Sequence, residues 1–190
     1  VWVVKLGGSL ADDDSLPHWL KILCSKKEGR LVLVPGGGGF AKQVRESQLR
    51  WGFADRTAHH MAILAMHQMG LMLSDLASAM VPCKGLGGVI QAMGGDNVPV
   101  WLPDLAELDR EGVPANWEVT SDSLAAWLAG KLEAQHLVLV KSAILPSQEP
   151  VILQRTGIVD AAFLSWLPPG LQFHCYHRDQ FDLFAQSLNG

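Results

Sequence analysis

Cysteine is scarce in this 190-residue chain. Cys24, Cys83 and Cys175 are odd in number, widely spaced and without a C-x-x-C pair, which argues against a disulfide framework or zinc knuckle and points to a reducing, cytoplasmic compartment. Long apolar runs are missing too: none reaches the ~18 residues of a membrane helix, so no membrane partner is expected. Neither sign of charge accumulates. Fifteen Lys and Arg face 19 Asp and Glu, a net −4 with a pI near 5.9, which gives no general affinity for nucleic acid. Any anion site must therefore be local. There is no Walker A pattern, no protein-kinase H-R-D or D-F-G pair and no internal repeat. The chain starts at Val1 inside a strand-like run without an initiator Met, compatible with a removed leader.

What is present is aliphatic and glycine-rich. With 48% hydrophobic residues, residues 1–190 are expected to fold as one globular domain. The stretch Leu31 to Ala41 organises it: Val32, Leu33 and Val34 read as a strand buried on both faces, and Gly36 to Gly39 follow Pro35. Four residues without Cβ let backbone N–H groups approach a ligand, and the helix start behind them adds a positive dipole end. A phosphate is the natural occupant; a flexible turn is the plain alternative.

Val1 to Leu6 forms a second buried strand, interrupted only by Lys5 and followed by Gly7, Gly8 and Ser9. Ligands of open α/β sheets bind beyond the carboxyl ends of strands, where Lys5 would meet them; the alternative is a lysine snorkelling from the sheet. Asp12 to Asp14 read as a solvated entry to a helix over Ser15 to Ser25. Helices are also expected over Phe40 to Leu49, with Lys42, Gln43, Arg45 and Glu46 outward, and over Thr57 to Met80, whose polar stripe is His60, His67 and Ser74. Those two histidines lie ~10.5 Å apart along the axis, too far to share a metal. Arg56 at the helix entry is a candidate phosphate ligand, with a salt bridge to Asp55 as the alternative.

Cys83 to Glu118 reads as irregular apart from a strand at Val98 to Leu102 and short helix. Thr120, Ser121 and Asp122 open a helix running to Ala129, more polar groups than capping needs. Leu137 to Val140 is another buried strand, ending in Lys141 and Ser142. Val151 to Leu153 reads as strand-like, Val159 to Phe163 as a helix start, Phe173 to Tyr176 as a last strand and Gln180 to Leu188 as a last helix. His174 and His177 read as structural.

Glycine-rich strand ends, lysines on the strands and a carboxylate at a helix start suit phosphoryl transfer, which needs cations and N–H donors around the transferred group more than covalent help. A dinucleotide reading is formally open, since Gly36, Gly38 and Ala41 satisfy G-x-G-x-x-[GA] with Asp55 downstream, but that fingerprint normally occupies the first βα turn.

As an ordered set, Val4 to Ser9, Val34 to Gly39, Thr120 to Ala126 and Leu137 to Lys141 resemble the amino acid kinase family. The resemblance implies a three-layer αβα sandwich with a mainly parallel sheet, a homodimer or larger assembly, and ATP with Mg²⁺. It implies catalytic roles for Lys5, Asp122 and Lys141. Phosphates and ATP would be held by Gly7, Gly8, Ser9, Gly37, Gly38, Ser121, Lys141 and Ser142; a small phosphate-bearing acceptor would meet Gly36, Gly37, Gly38, Arg56 and His60. Residues 1–130 would form the acceptor part and 131–190 a reduced nucleotide part. Two departures are visible: Ser142-Ala143-Ile144-Leu145 stands where the family carries an acidic V-D-G-[IV]-Y stretch, and Lys141 alone can replace the second catalytic lysine of the longer family lobe. Ala54 to Met66 and Trp117 to Ser123 look most like the compact branch acting on aminomethylfuran methyl phosphate in methanofuran biosynthesis. Acetylglutamate- or isopentenyl phosphate-like kinases, or a non-catalytic nucleotide-binding subunit, are the alternatives.

Overall fold

A computed structural model describes residues 1–25 and 31–188. Its centre is a six-stranded sheet, β1 (Trp2–Leu6), β2 (Leu31–Pro35), β3 (Met80–Lys84), β4 (Val98–Leu102), β5 (His136–Lys141) and β6 (Gln172–His177), in the order β3-β4-β2-β1-β5-β6. Every pairing is parallel. The unbroken aliphatic runs of β1, β2 and β5 follow from this, because helices cover both faces. One face holds Val3, Val32, Val34, Leu137 and Leu139 against α6 (Ser121–Lys131), α4 (Gly85–Ala92) and α8 (Phe163–Trp166). The other holds Val4, Leu6, Leu33, Val138 and Val140 against α1 (Leu16–Ser25) and α9 (Phe181–Ser187). The long α3 (Asp55–Leu76) contributes Ile63 and Met66 to the first face and Met69 and Leu73 to the second. The sandwich of three layers is the expected one, with an all-parallel sheet.

The strand order builds outward from β1 to β2 on one side and from β5 to β6 on the other, so it reverses between β1 and β5. That switch point is where open α/β sheets place ligands. Side chains alternate between faces, so Lys5 shares its face with Val3, the α6 side. Lys5 is in register with Leu139, which sets Lys141, two residues on, on that same face at the strand end.

Several expectations are corrected. Val151 to Leu153 is helical, within α7 (Pro150–Arg155): Pro150 starts the helix, a position proline favours, and three aliphatics alone do not fix a period. The helix expected to run to Met80 stops at Leu76, and Met80 opens β3. The stretch expected as loop and short helix besides β4 does hold two short helices, α4 and α5 (Leu105–Arg110), and in addition the last residues of β3. Gly85, Gly87 and Gly88 masked α4, whose start needs a left-handed Gly85 (φ 64).

The two glycine turns pack backbone against backbone. A Cβ on Gly8 would lie 2.0 Å from the Gly38 nitrogen, and one on Gly36 would lie 2.4 Å from the Gly8 nitrogen. Gly39 faces nothing within 4 Å. Gly8→Ala should therefore destabilise the fold by about 3 kcal/mol through overpacking, whereas Gly39→Ala, inside α2 (Gly38–Trp51), should be neutral or stabilising by up to about 1 kcal/mol. Denaturant melts of both variants check the contrast.

Candidate active site

β1 hands its ladder on at both sides. The Gly7 amide donates to the Val140 carbonyl at 3.0 Å and the Gly36 amide donates to the Leu6 carbonyl at 2.9 Å, so the glycine turns leave the sheet already fixed against one another. Gly38 takes a positive φ of 56°, which a glycine tolerates without strain. Gly37 caps α2 with no side-chain hydrogen bond, so the first-turn N–H groups beside Gly8 are not consumed by a capping side chain. Ser9 and Ser142 touch through their hydroxyls, joining the turn after β1 to the end of β5, and the Ser142 carbonyl lies 3.1 Å from His177 Nε2.

Asp122 sits in the first turn of α6, buried at 4% exposure. Its Oδ1 is 2.8 Å from Lys5 Nζ and its Oδ2 2.5 Å from Lys141 Nζ. Lys5 is 4% exposed as well. Burial pushes the Lys5 ammonium below its usual range, as does Lys141, while Asp122 opposes them. For Asp122 burial acts to raise the carboxyl, yet the two ammonium groups outweigh it and hold it at about 2. One carboxylate thus serves the two lysine side chains at adjacent strand ends.

The start of α6 is fixed by Asp160, from the loop before α8. Its Oδ2 accepts from Thr120 N at 2.9 Å, Thr120 Oγ1 at 2.7 Å and Ser123 N at 3.0 Å, and its Oδ1 accepts from Ser123 Oγ. The surplus of polar groups at Thr120 to Asp122 is explained by this: Thr120 meets a distant carboxylate while Asp122 faces the lysines. Sequence reading missed Asp160, since nothing local marks it.

A cavity of about 180 Å³ opens beside Gly37, lined by Arg45, His59, Trp117, Thr120 and Ser121 with apolar Ile63 and Met66. The Arg45 guanidinium lies 3.7 Å above the Trp117 ring, a cation–π stack, and Trp117 Nε1 donates to Gln48 Oε1 at 2.6 Å. Arg56 and His60 do not line this cavity; Arg56 is exposed and pairs with Asp109 at 3.3 Å, not with Asp55. Asp55 instead accepts from Gln48 Nε2 at 2.7 Å. The helical period could have found the actual lining: Ala41 and Arg45 lie one turn apart, and His59 shares the Ile63 and Met66 face while His60 does not. Lys5, Asp122, Lys141, Gly7, Gly8, Ser9, Gly36, Gly37, Gly38, Ser121 and Ser142 all gather at the carboxyl ends of β1, β2 and β5 or the start of α6. Among the described residues no group of three or more His, Cys, Asp and Glu could hold a metal ion, and no helix is long and apolar enough to cross a membrane.

A parallel sheet whose strand ends carry touching glycine turns and a lysine pair on one carboxylate defines an α/β protein with cationic side chains and side-chain-free turns gathered at one rim. The chain belongs to the amino acid kinase family, whose profile residues 1–143 match. The protein of Methanocaldococcus jannaschii named [5-(aminomethyl)furan-3-yl]methyl phosphate kinase is 25% identical over 138 residues, 72% of this chain and 63% of that protein. The matched region thus spans less than two thirds of that relative's length. The fold is shared with a uridylate kinase of Archaeoglobus fulgidus (TM-score 0.75, 14% identity, 100% of this chain and 95% of that one). A UMP kinase of Bacillus anthracis shares it too (TM-score 0.71, 16% identity, 100% and 92%).

The Asp122 carboxyl is depressed in the folded state, so its stabilisation is fully present above the ordinary carboxyl value of 3.8 and is lost as pH falls through about 2. The amount is about 2 kcal/mol. Asp122→Asn should remove that acid-side loss and, by leaving the buried Lys5 and half-buried Lys141 without their counter-ion, lower stability at neutral pH by about 3 kcal/mol. Urea melts of both proteins between pH 2 and pH 7, roughly the window set by the linkage relation, measure it.

Proposed function

We propose that this protein is an ATP-dependent phosphotransferase that passes the γ-phosphoryl group to a small anionic acceptor, with [5-(aminomethyl)furan-3-yl]methyl phosphate as that acceptor and its diphosphate as product. The observation that carries the reading is the Lys5–Asp122–Lys141 cluster at the ends of the same strands that lead into two glycine turns in close backbone approach. The acceptor rests on the name of the M. jannaschii relative and on the chemistry of the site.

That chemistry favours an acceptor that is already ionised. Asp122, held at about 2 between two ammonium groups, is too weak a base to deprotonate an alcohol at neutral pH. A phosphate oxygen needs no such help. It attacks the γ-phosphorus in line as the bond to the β–γ bridging oxygen breaks, and the electron pair leaves on ADP. Lys5 and Lys141 supply charge where it develops, the N–H groups of Gly7, Gly8, Gly37 and Gly38 hold phosphate oxygens, and Ser9 and Ser142 border the nucleotide side. Mg²⁺ would arrive on the nucleotide phosphates and neutralise part of their charge. Arg45 replaces Arg56 as the guanidinium nearest the acceptor, and Ser121 borders the same cavity. Residues 1–130 then form the acceptor side and 131–190 the nucleotide side of one homo-oligomeric, cytoplasmic enzyme.

Incubation with Mg·ATP and the furan phosphate should yield ADP and a furan diphosphate, resolved by phosphorus NMR. Lys5→Ala should lower kcat by about 10²–10³-fold, the cost of removing one donor aimed at developing charge. Turnover of acetylglutamate with none of the furan phosphate would reject the acceptor and keep the class; no phosphoryl transfer to any anionic acceptor would leave a nucleotide-binding subunit.

A further inference from the structure

Two residues of α2, one turn apart and so on one face of the helix, meet the same indole from different sides. The Arg45 guanidinium lies 3.7 Å above the Trp117 ring, and Gln48 Oε1 accepts from Trp117 Nε1 at 2.6 Å. The nitrogen of the same Gln48 amide donates to the Phe53 carbonyl at 3.0 Å and to Asp55 Oδ1 at 2.7 Å. An indole N–H can only donate, and a carbonyl or carboxylate oxygen can only accept. One orientation of the amide therefore satisfies all three partners, and a flipped amide satisfies none. Trp117, in the turn before α6, is thereby held at its Nε1 corner by the end of α2 and the start of α3.

What the ring holds in turn is a cation without a counter-ion. Among the described residues that line the cavity Arg45 is the one Arg, and none is Asp, Glu or Lys. Among the described residues Arg45 has no ion pair and no hydrogen bond; its partner is the ring. An exposed arginine with no fixed partner samples many rotamers. A guanidinium lying on an aromatic face gives up part of that freedom, while its N–H donors, which lie in its own plane, stay open to a ligand. The wall of this small cavity, about 180 Å³, thus carries a cation placed before any ligand arrives, with the forked donors that match a phosphate.

We propose that Gln48 and Trp117 are positioning residues that hold Arg45 toward the ionised group of the acceptor: Gln48 fixes the indole, and the indole fixes the guanidinium. They act through Arg45 rather than on the reacting atoms. This rests on the phosphotransferase reading above and names the residues that set its affinity for an anionic acceptor.

The test compares the unaltered protein with Gln48→Met, Trp117→Phe, the double variant and Arg45→Gln in steady-state kinetics with the furan phosphate and ATP. NMR of the Arg45 Nε–H group, identified by its loss in Arg45→Gln, accompanies them. Arg45→Gln should raise KM for the furan phosphate by about 30-fold, the scale of a hydrogen bond to a charged group. Gln48→Met and Trp117→Phe should each raise it by about 10-fold, with kcat and KM for ATP within about two-fold, the pattern of lost ground-state binding. Because Gln48 works through the indole, the double variant should also lose about 10-fold, where independent effects would multiply to about 100-fold. In the unaltered protein the Arg45 signal should shift with the furan phosphate and not with the furan alcohol that lacks the phosphate, a readout that stands even where a variant folds poorly. A Gln48→Met effect that persists in full beside Trp117→Phe overturns the assignment, since Gln48 then acts through Phe53 and Asp55. An equal rise in KM for ATP and acceptor overturns it too, as a general loss of structure. Phosphoryl transfer with an unmoved Arg45 signal overturns it while sparing the phosphotransferase. Where no phosphoryl group is transferred, the dissociation constant from the same titration replaces KM: the expected pattern then upholds the positioning and rejects the phosphotransferase, and an unmoved signal overturns both.

Discussion

One carboxylate between two ammonium groups is the constraint on which the remainder of the site depends. Lys5 emerges from a central strand at 4% exposure, a depth at which a lone ammonium would lose its proton. Asp122 opposes that loss, and in doing so also pairs with Lys141 of the neighbouring strand. The arrangement is positional before it is energetic. The register that sets Lys5 beside Leu139 sends Lys141 to the same face, and only a carboxylate arriving from the covering helix can meet both. A buried pair of this kind is weak evidence for stability in itself. Its meaning lies in position: one carboxylate holds two lysine side chains at the ends of adjacent strands.

The glycine turns supply the complement. Side chains bring full charge to the strand ends, and the backbone brings oriented N–H groups that need no rotamer to be frozen. Both require the two turns to lie closer than any Cβ permits, which is why Gly8 and Gly36 cannot be exchanged even for alanine without moving the loops. The first turn of α2 lacks a side-chain cap, whereas the start of α6 is occupied by the Asp160 carboxylate. The two helix starts therefore do different work. One keeps its first-turn amides free of a side-chain cap, and the other is neutralised internally by Asp160 beside Asp122.

Much of this could be read from sequence, for a definite reason. Strand residues buried on both faces leave unbroken aliphatic runs, so a lysine within such a run and glycines directly after it stand out, as Lys5, Gly7 and Gly8 do. Where the signal depended on period or on distance the reading failed. Val151 to Leu153 is too short to distinguish a strand from a helix turn, and Pro150 was the better guide. Nearness to the glycines does not say which residues line the cavity: Arg45 and His59 do, Arg56 and His60 do not. Asp160 could not have been found, since its partners Thr120 and Ser123 lie on another element and a single acidic residue in a loop carries no local pattern.

Asp160 also bears on why the family profile ends where it does. The match covers residues 1–143, whereas the structural likeness to the uridylate kinase of A. fulgidus covers the whole chain. Residues that touch transferred phosphates must keep both identity and position, and in this chain those candidates lie before the end of β5 or just beyond it. From the segment after β5 the site needs less: packing of α8 against α6, a last parallel strand beside β5, and one carboxylate delivered to the start of α6. Many sequences satisfy such requirements, because packing is tolerant of volume-conserving exchange and a cap can be supplied by several residue types. The fold can therefore persist through this segment after sequence likeness has faded, with Asp160 holding from a distance the helix that carries Asp122.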